Sequence, residues 1–268
     1  MSGAEVELPT GVYGVVTALS TTPVKGLALL ARDAVMLERS GVADNRRFYL
    51  VDEHARMLNG KRIGILTTVR AEYDPASERL AMRFPDGAEA SGTVELADTV
   101  ETRFYSRSRT AQLVVGPWSQ ALSSFTGQRL RLVKADAAHG GVDRGSNGAV
   151  TLMSQASVGR LEALVDGQPV DSRRFRMLVE VAGPDAHAED QWVGRRVRVG
   201  AALVAMRGHV GRCIITSQSP DTGLVDLPTL ELLEYRRGMA TTEELAFGIY
   251  GEVLEPGSVR LGDSVTAE

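Results

Sequence analysis

Short runs of β-forming residues, each cut off by a turn former, recur through residues 1–100 and leave little room there for a helix. "GVVTAL", "RRFYLVD", "RIGILTTVR" and "RLAMRF" are strand-like. "YDPASERLAMRFPDGAEAS" reads as a hairpin: a Pro-containing turn, an alternating strand, then Pro-Asp-Gly. Short strands at short spacing suit a small barrel or sandwich.

The character changes further along. "WSQALSSFTG" sets Trp118, Ala121, Leu122 and Phe125 at helical spacing, with Gly127 where a C-cap belongs. "RLRLVKAD" is a strand. "SQASVGRLEALVDG" is a helix capped by Ser154, with Val158, Leu161 and Leu164 on one face and a stop at Gly167. "RFRMLVEVAG" and "RRVRVGAALVAMRG" read as strands. "DLPTLELLEYRR" reads as a helix with Pro228 in its first turn and Arg236 and Arg237 at its end. The expected fold class is mainly β with some α (α+β). A β-rich first part, suited to a small barrel or sandwich, is expected to be followed by an α+β second part. The composition break falls near residues 95–110.

At 268 residues and 43% hydrophobic content the chain can bury a core without cross-links. One cysteine cannot form an internal disulfide, so a reducing, cytoplasmic setting is expected. A net charge of −4 argues against a nucleic-acid binder held by phosphate charge. "MSGAEVELPTG" lacks the features of a signal peptide, and no run approaches the ~18 apolar residues of a membrane span. Neither nucleic acid nor membrane is therefore expected as a partner.

The sequence carries no HExxH, CxxC, Walker loop or GxSxG. The histidines (His54, His139, His187, His209) are scattered. "GGVDRGSNG" (140–148) is Gly-rich but has neither dinucleotide spacing nor a P-loop lysine. It is either a ligand-lining loop or a mobile one. The lone thiol, Cys213, follows Arg207, His209 and Arg212. Nearby cations favour a thiolate, the form that attacks electrophiles and binds metals. Cys213 could equally be an inert residue opening the strand "CIITSQ". A metal held by a single cysteine needs a cofactor to bring the remaining ligands.

Eight segments in order resemble the MOSC (molybdenum cofactor sulfurase C-terminal) domain family. The likeness is to its two-part members with an N-terminal β-barrel domain, the amidoxime reducing components and their bacterial relatives. They are "TPVKGL", "NRRFYLVDEHARML", "WSQALSSFTGQRLRLV", "TLMSQASVGRL", "SRRFRMLVEV", "AEDQW", "GRCIITSQSPDTG" and "FGIYGEVLEPGSVRLGD". The resemblance spans nearly the whole chain. It implies a small N-terminal β-barrel-like domain over residues 1–100 and a MOSC domain, a β-barrel with a few helices, over 101–268.

The resemblance implies that Cys213 ligates molybdenum in a pyranopterin cofactor, or carries a persulfide. It implies that Lys25, Arg46 and Arg176 face the cofactor. A guanidinium suits bidentate contact with phosphate, and a lysine acts as a point charge. Arg212, Ser154, Thr216 and Asp221 are further candidate cofactor contacts. Ser154 reads equally well as a helix cap, and Asp221 as a turn residue. Trp192 and Phe175 are expected in the core.

The chain departs from the family pattern at Asn45, at Asn59-Gly60-Lys61, at Met177 and Leu178 and at Ser219. These changes imply either an altered substrate pocket or a fold reused without its cofactor. The leading functional expectation is a molybdenum-cofactor oxidoreductase that reduces an N-hydroxylated or related N–O or S–O small molecule. A separate electron-donor protein would supply the electrons. The alternatives are a persulfide sulfur carrier (a sulfurtransferase) acting through Cys213, a cofactor-free biosynthetic enzyme, or a protein that stores or delivers the cofactor.

Overall fold

The computed structural model describes residues 12–58, 60–104, 107–136, 142–143 and 145–267. Its strands, in chain order, begin with β1 (Val12–Thr21), β2 (Leu30–Ala31), β3 (Ala34–Leu37), β4 (Phe48–Val51), β5 (Met57–Leu58) and β6 (Arg70–Asp74). Next come β7 (Arg79–Arg83), β8 (Glu89–Thr93), β9 (Glu95–Phe104), β10 (Arg107–Val115), β11 (Arg131–Ala135) and β12 (Val150–Ser154). The last are β13 (Val179–Ala182), β14 (Arg196–Val199), β15 (Ala202–Gly211), β16 (Ala246–Glu255), β17 (Gly257–Arg260) and β18 (Ser264–Ala267). The α-helices are α1 (Trp118–Thr126), α2 (Gln155–Leu164) and α3 (Thr229–Leu232).

Seven strands close on themselves in the order β13-β12-β16-β15-β14-β18-β1, because β1 pairs back onto β13. Closure removes the unpaired edges an open sheet would present. β1 pairs with β18 through Gly14 and Val265, and with β13 through Val16 and Val181 and Leu19 and Val179. Its register slips between Val16 and Ala18. The slip keeps both Val16 and Leu19 turned inward, where a regular strand would have put them on opposite faces. Val150, Leu152, Val181, Val204, Ile249 and Val265 fill the interior with them. β12 and β13 run parallel, and α2 makes the crossover that a parallel pair requires. Mostly β structure with few helices, including a closed barrel, is the class expected from the sequence.

The other lobe combines the sheet β5-β4-β11-β10-β9 with the meander β6-β7-β8. β4 is buried at every residue. Phe48 and Leu50 join the core around Leu80, Trp118 and Leu132, while Tyr49 and Val51 join a second one with Phe104. α1 ends at Gly127, which takes the left-handed conformation (φ 68°) as a C-cap glycine does. The two lobes are interleaved in sequence: β1 is a stave of the barrel, whereas β11 pairs with β4 and β10. The β9–β10 hairpin runs through residue 100.

Four local expectations change. "RIGILTTVR" is not a strand but contains a 3-10 helix, Gly64–Thr68. "RFRMLVEVAG" is a strand only from Val179, after a 3-10 turn at Ser172–Phe175. "CIITSQ" is a 3-10 turn, Ile214–Ser217, rather than a strand. "DLPTLELLEYRR" yields a single α-turn and then a 3-10 turn, Glu234–Arg236. There the buried Arg236 guanidinium is drawn to the Asp190 carboxylate. Among the described residues no helix is long and apolar enough to cross a membrane.

Candidate functional site

A cleft of about 370 Å³ opens between the two lobes. Its first wall comes from "TPVKGL". Val24 bridges to Phe48, and the Lys25 amide donates to the Phe48 carbonyl at 2.8 Å, which fixes Lys25 at the mouth of β4. Arg46, just before β4, has a left-handed backbone (φ 52°), and its amide donates to the Thr22 carbonyl at 2.6 Å. Arg176, across the cleft, is left-handed as well (φ 54°) and caps the 3-10 turn at Ser172–Phe175. Such a conformation in a non-glycine residue costs on the order of 1–3 kcal/mol and is characteristic of functional sites. Arg46 donates to the Arg176 carbonyl at 2.7 Å, and Arg176 donates to the Leu27 carbonyl at 2.6 Å. The two arginines thereby tie the lobes together.

Asp143 lies between the cations and accepts from both Lys25 and Arg46. Burial by itself would raise its carboxyl pKa, but the two cations outweigh that and hold it well below the usual carboxylate range. Burial lowers the Lys25 ammonium pKa despite Asp143. Burial, reinforced by repulsion from Arg46, brings Arg176 down to about 10. Arg174 also lines the cleft, but it is neutralised by a bidentate pair with Asp226 at 2.6 and 2.9 Å. Asp143 is the one carboxylate among the described lining residues, so the wall keeps an excess of positive charge.

The opposite wall carries the thiol. Cys213 is partly exposed, lines the cleft and stands just ahead of the 3-10 turn Ile214–Ser217. Its carbonyl accepts from the Thr216 amide and the Thr216 hydroxyl, both at 3.0 Å. Thr216 thus shapes the turn that presents the thiol. Arg212 donates to the carbonyls of Phe247 and Phe175 and lies over both rings, at 5.4 Å from Phe175 and 5.9 Å from Phe247. Its guanidinium braces the end of β15 from which Cys213 projects. Among the described residues, no cluster of three or more His, Cys, Asp or Glu side chains is placed to hold a metal ion.

The structure brings together six of the eight residues singled out from the sequence: Lys25, Arg46, Arg176, Arg212, Cys213 and Thr216 all line this cleft. Ser154 stands apart, fully buried as the N-cap of α2. It accepts from the Ala156 amide at 3.2 Å and donates to the Pro184 carbonyl at 3.2 Å. Ser154→Ala is therefore expected to lower unfolding free energy by about 1 kcal/mol in urea titration and to leave ligand binding unchanged. Asp221 pairs with Arg173 at 2.8 Å beside a neighbouring cavity. Phe175 and Trp192 are in the core, stacked on Phe247 and Tyr13 respectively.

Sequence reading missed Asp143, although it marked the Gly-rich stretch that contains it. The available signal was charge balance, since three cations converging on one cleft need a carboxylate. His139 of that region and Asn59 lie outside the described residues. The other departures take structural roles. Asn45 accepts from the Thr22 amide at 3.0 Å, and Asp143 supplies Arg46 with the carboxylate that Asn45 lacks. Met177 lines the cleft with its sulfur 3.0 Å from Arg212, whereas Leu178 turns into the barrel core. Ser219 closes the "SPDTG" turn, its hydroxyl accepting from the Asp221 amide at 3.3 Å.

The MOSC domain matches residues 136–266, and the MOSC N-terminal beta barrel domain matches residues 13–127. Mitochondrial amidoxime-reducing component 1 of Xenopus laevis is 31% identical over 123 residues, covering 43% of this chain and 35% of that protein. Mitochondrial amidoxime reducing component 2 of Homo sapiens is 34% identical over 121 residues, covering 42% and 35%. The aligned region thus spans about a third of these relatives' length. Among solved structures, the YUAD protein from Bacillus subtilis aligns over 94% of this chain and 93% of its own at 11% identity, with a TM-score of 0.42. YiiM from Geobacillus stearothermophilus aligns over 46% and 56% at 20% identity, with a TM-score of 0.35. With its two halves matched in order by these two domains, the chain belongs to the MOSC family, in the form that carries the N-terminal β-barrel domain.

Proposed function

We propose that the chain is a molybdenum-cofactor-dependent oxidoreductase that reduces an N-hydroxylated or related N–O or S–O small molecule, with Cys213 as the protein ligand to molybdenum. The observation that carries this reading is one thiol facing a cleft whose cations outnumber its carboxylate. The donor set fits such a cofactor. A thiolate is a soft ligand suited to a metal whose other ligands come from a dithiolene and oxo groups. Arg176 is half-buried, loses solvation there and is repelled by Arg46, with Asp143 offsetting only part of this, so an added anion would steady its charge. A Cβ on Gly26 would meet no atom within 4 Å, so the backbone leaves open space beside Lys25.

When bound, the cofactor supplies the two-electron redox chemistry. The chain's own residues bind and orient. Lys25, Arg46 and Arg176 would hold its phosphate, Thr216 would keep the Cys213 turn in place, and Arg212 would fix the direction from which the thiol approaches. Met177 and Phe175 give the cleft an apolar floor. Electrons would come from a separate donor protein.

The test is molybdenum and released pterin per chain, measured by elemental mass spectrometry and chromatography on protein made in a cofactor-producing host. Near-stoichiometric metal and pterin are expected. Cys213→Ser should lose the metal and abolish reduction of benzamidoxime by a supplied reductant. Absence of both metal and pterin from the wild-type protein, or a Cys213→Ser variant that keeps both, would sink the proposal.

A further inference from the structure

On the far side of Arg176 lies a second cavity, of about 300 Å³. Arg176 and Thr67 line both spaces, so the cleft that holds Cys213 and this cavity adjoin across those two side chains. Arg70, Arg83 and Arg173 complete its basic wall. Arg70 and Arg83 face each other directly in the β6–β7 ladder. Like charges placed opposite one another across a sheet are destabilising. Of these arginines, Arg83 already pairs with Glu89 at 2.8 Å, and Arg173 pairs with Asp171 and with Asp221, which also lines the cavity. Among the described residues Arg70 has no such partner.

We infer that this annex is the subsite for the anionic end of the substrate, so that the protein acts on small molecules carrying a carboxylate or phosphate group remote from the reacting atom. Substrate assignment rests on the proposed reading of the Cys213 cleft; anion binding in the annex does not. Arg70, the arginine of this pair that has no carboxylate partner among the described residues, would grip the anion, with Arg83 and Arg176 beside it. Asp171 and Asp221 hold Arg173 in the wall. The position of Arg176 between the two spaces places the charged end one guanidinium away from the cofactor's phosphate.

The experiment is calorimetric titration of the protein as purified with three non-reducible probes: benzamide, 4-carbamoylbenzoate and 4-carbamoylphenyl phosphate. At least one anionic probe should bind about tenfold more tightly than benzamide, as charge-assisted contacts imply, with the preference shrinking as salt rises. Whichever anion binds better names the group. The Arg70→Ala/Arg83→Ala variant should lose most of that preference with little change in melting temperature, because both side chains are exposed and the Arg83–Glu89 pair lies at the surface. The Arg70→Lys/Arg83→Lys variant should keep part of it. Equal binding of all three probes, or a preference that survives the double alanine variant, would overturn the inference. These readouts do not depend on turnover. A protein that prefers the anions but carries no molybdenum would refute the proposed reaction and leave the subsite standing.

Discussion

Replacing Asp143 with alanine is expected to lower unfolding free energy by about 2–4 kcal/mol, the cost of breaking an ion pair most of the way to burial. Its side chain is 23% exposed, and those of Lys25 and Arg46 are 18% and 19% exposed. Removal of the carboxylate leaves two cations facing Arg176 across the same cleft. Asp143→Asn keeps the shape and a hydrogen-bond acceptor but not the charge, and should fall between wild type and alanine. Millimolar phosphate should raise the melting temperature of Asp143→Ala more than that of wild type, since an added anion takes the vacated place. The pH dependence has a definite sign. The folded-state pKa of Asp143 is depressed, so its contribution is full above the unfolded value near 3.8 and drains away as pH falls below it. The alanine variant should lose that part of the acid-side slope. A variant as stable as wild type, with the same acid limb and no response to phosphate, would show that the three charges do not interact as argued.

The second large effect is steric. A Cβ on Gly64 would sit 2.1 Å from the Gly223 carbonyl oxygen, and one on Gly223 would sit 2.1 Å from that of Gly64. Gly223 is also left-handed, at φ +72°. Only two glycines can lie this close, and their contact seats the "SPDTG" turn on the 3-10 helix of the other lobe. The Gln218 amide adds a buried hydrogen bond to the Gly60 carbonyl at 2.8 Å. Gly223→Val combines overpacking with left-handed strain and should cost about 2–5 kcal/mol. Gly64→Ala meets overpacking alone, about 1–3 kcal/mol. Urea unfolding followed by tryptophan fluorescence measures both. Two variants with unchanged midpoints would mean that the lobes rest on each other elsewhere.

Strands could be read wherever alternation was local, as in "RLAMRF", where Leu80 and Met82 are buried and Arg79 and Arg83 exposed. "RIGILTTVR" misled because its β-branched residues suggest a strand while its buried positions recur every third residue. Ile63, Leu66 and Val69 are all buried, the period of a 3-10 helix. Barrel closure could not be read at all, because the pairing of Val16 with Val181 joins distant parts of the chain and has no local signature. The site divides the same way. Lys25, Arg46 and Cys213 stood out by residue type and motif. Arg212, by contrast, braces carbonyls, and only packing reveals that. Asp143 was legible only as a missing counter-charge, because its partners Lys25 and Arg46 lie 118 and 97 residues earlier in the chain.

The closure of the barrel also imposes a schedule on synthesis. β1 leaves the ribosome first among the staves, yet its partners are β13 and β18, and β18 begins at Ser264. Val16 and Leu19 must therefore wait for Val181 and Val179 of β13, and Val12, Gly14 and Val15 for β18. The other lobe has its strands between residues 48 and 135 and can assemble in the meantime. A nascent chain halted before β18 would hold one finished lobe and one open barrel, which is the state in which holdase chaperones would find it.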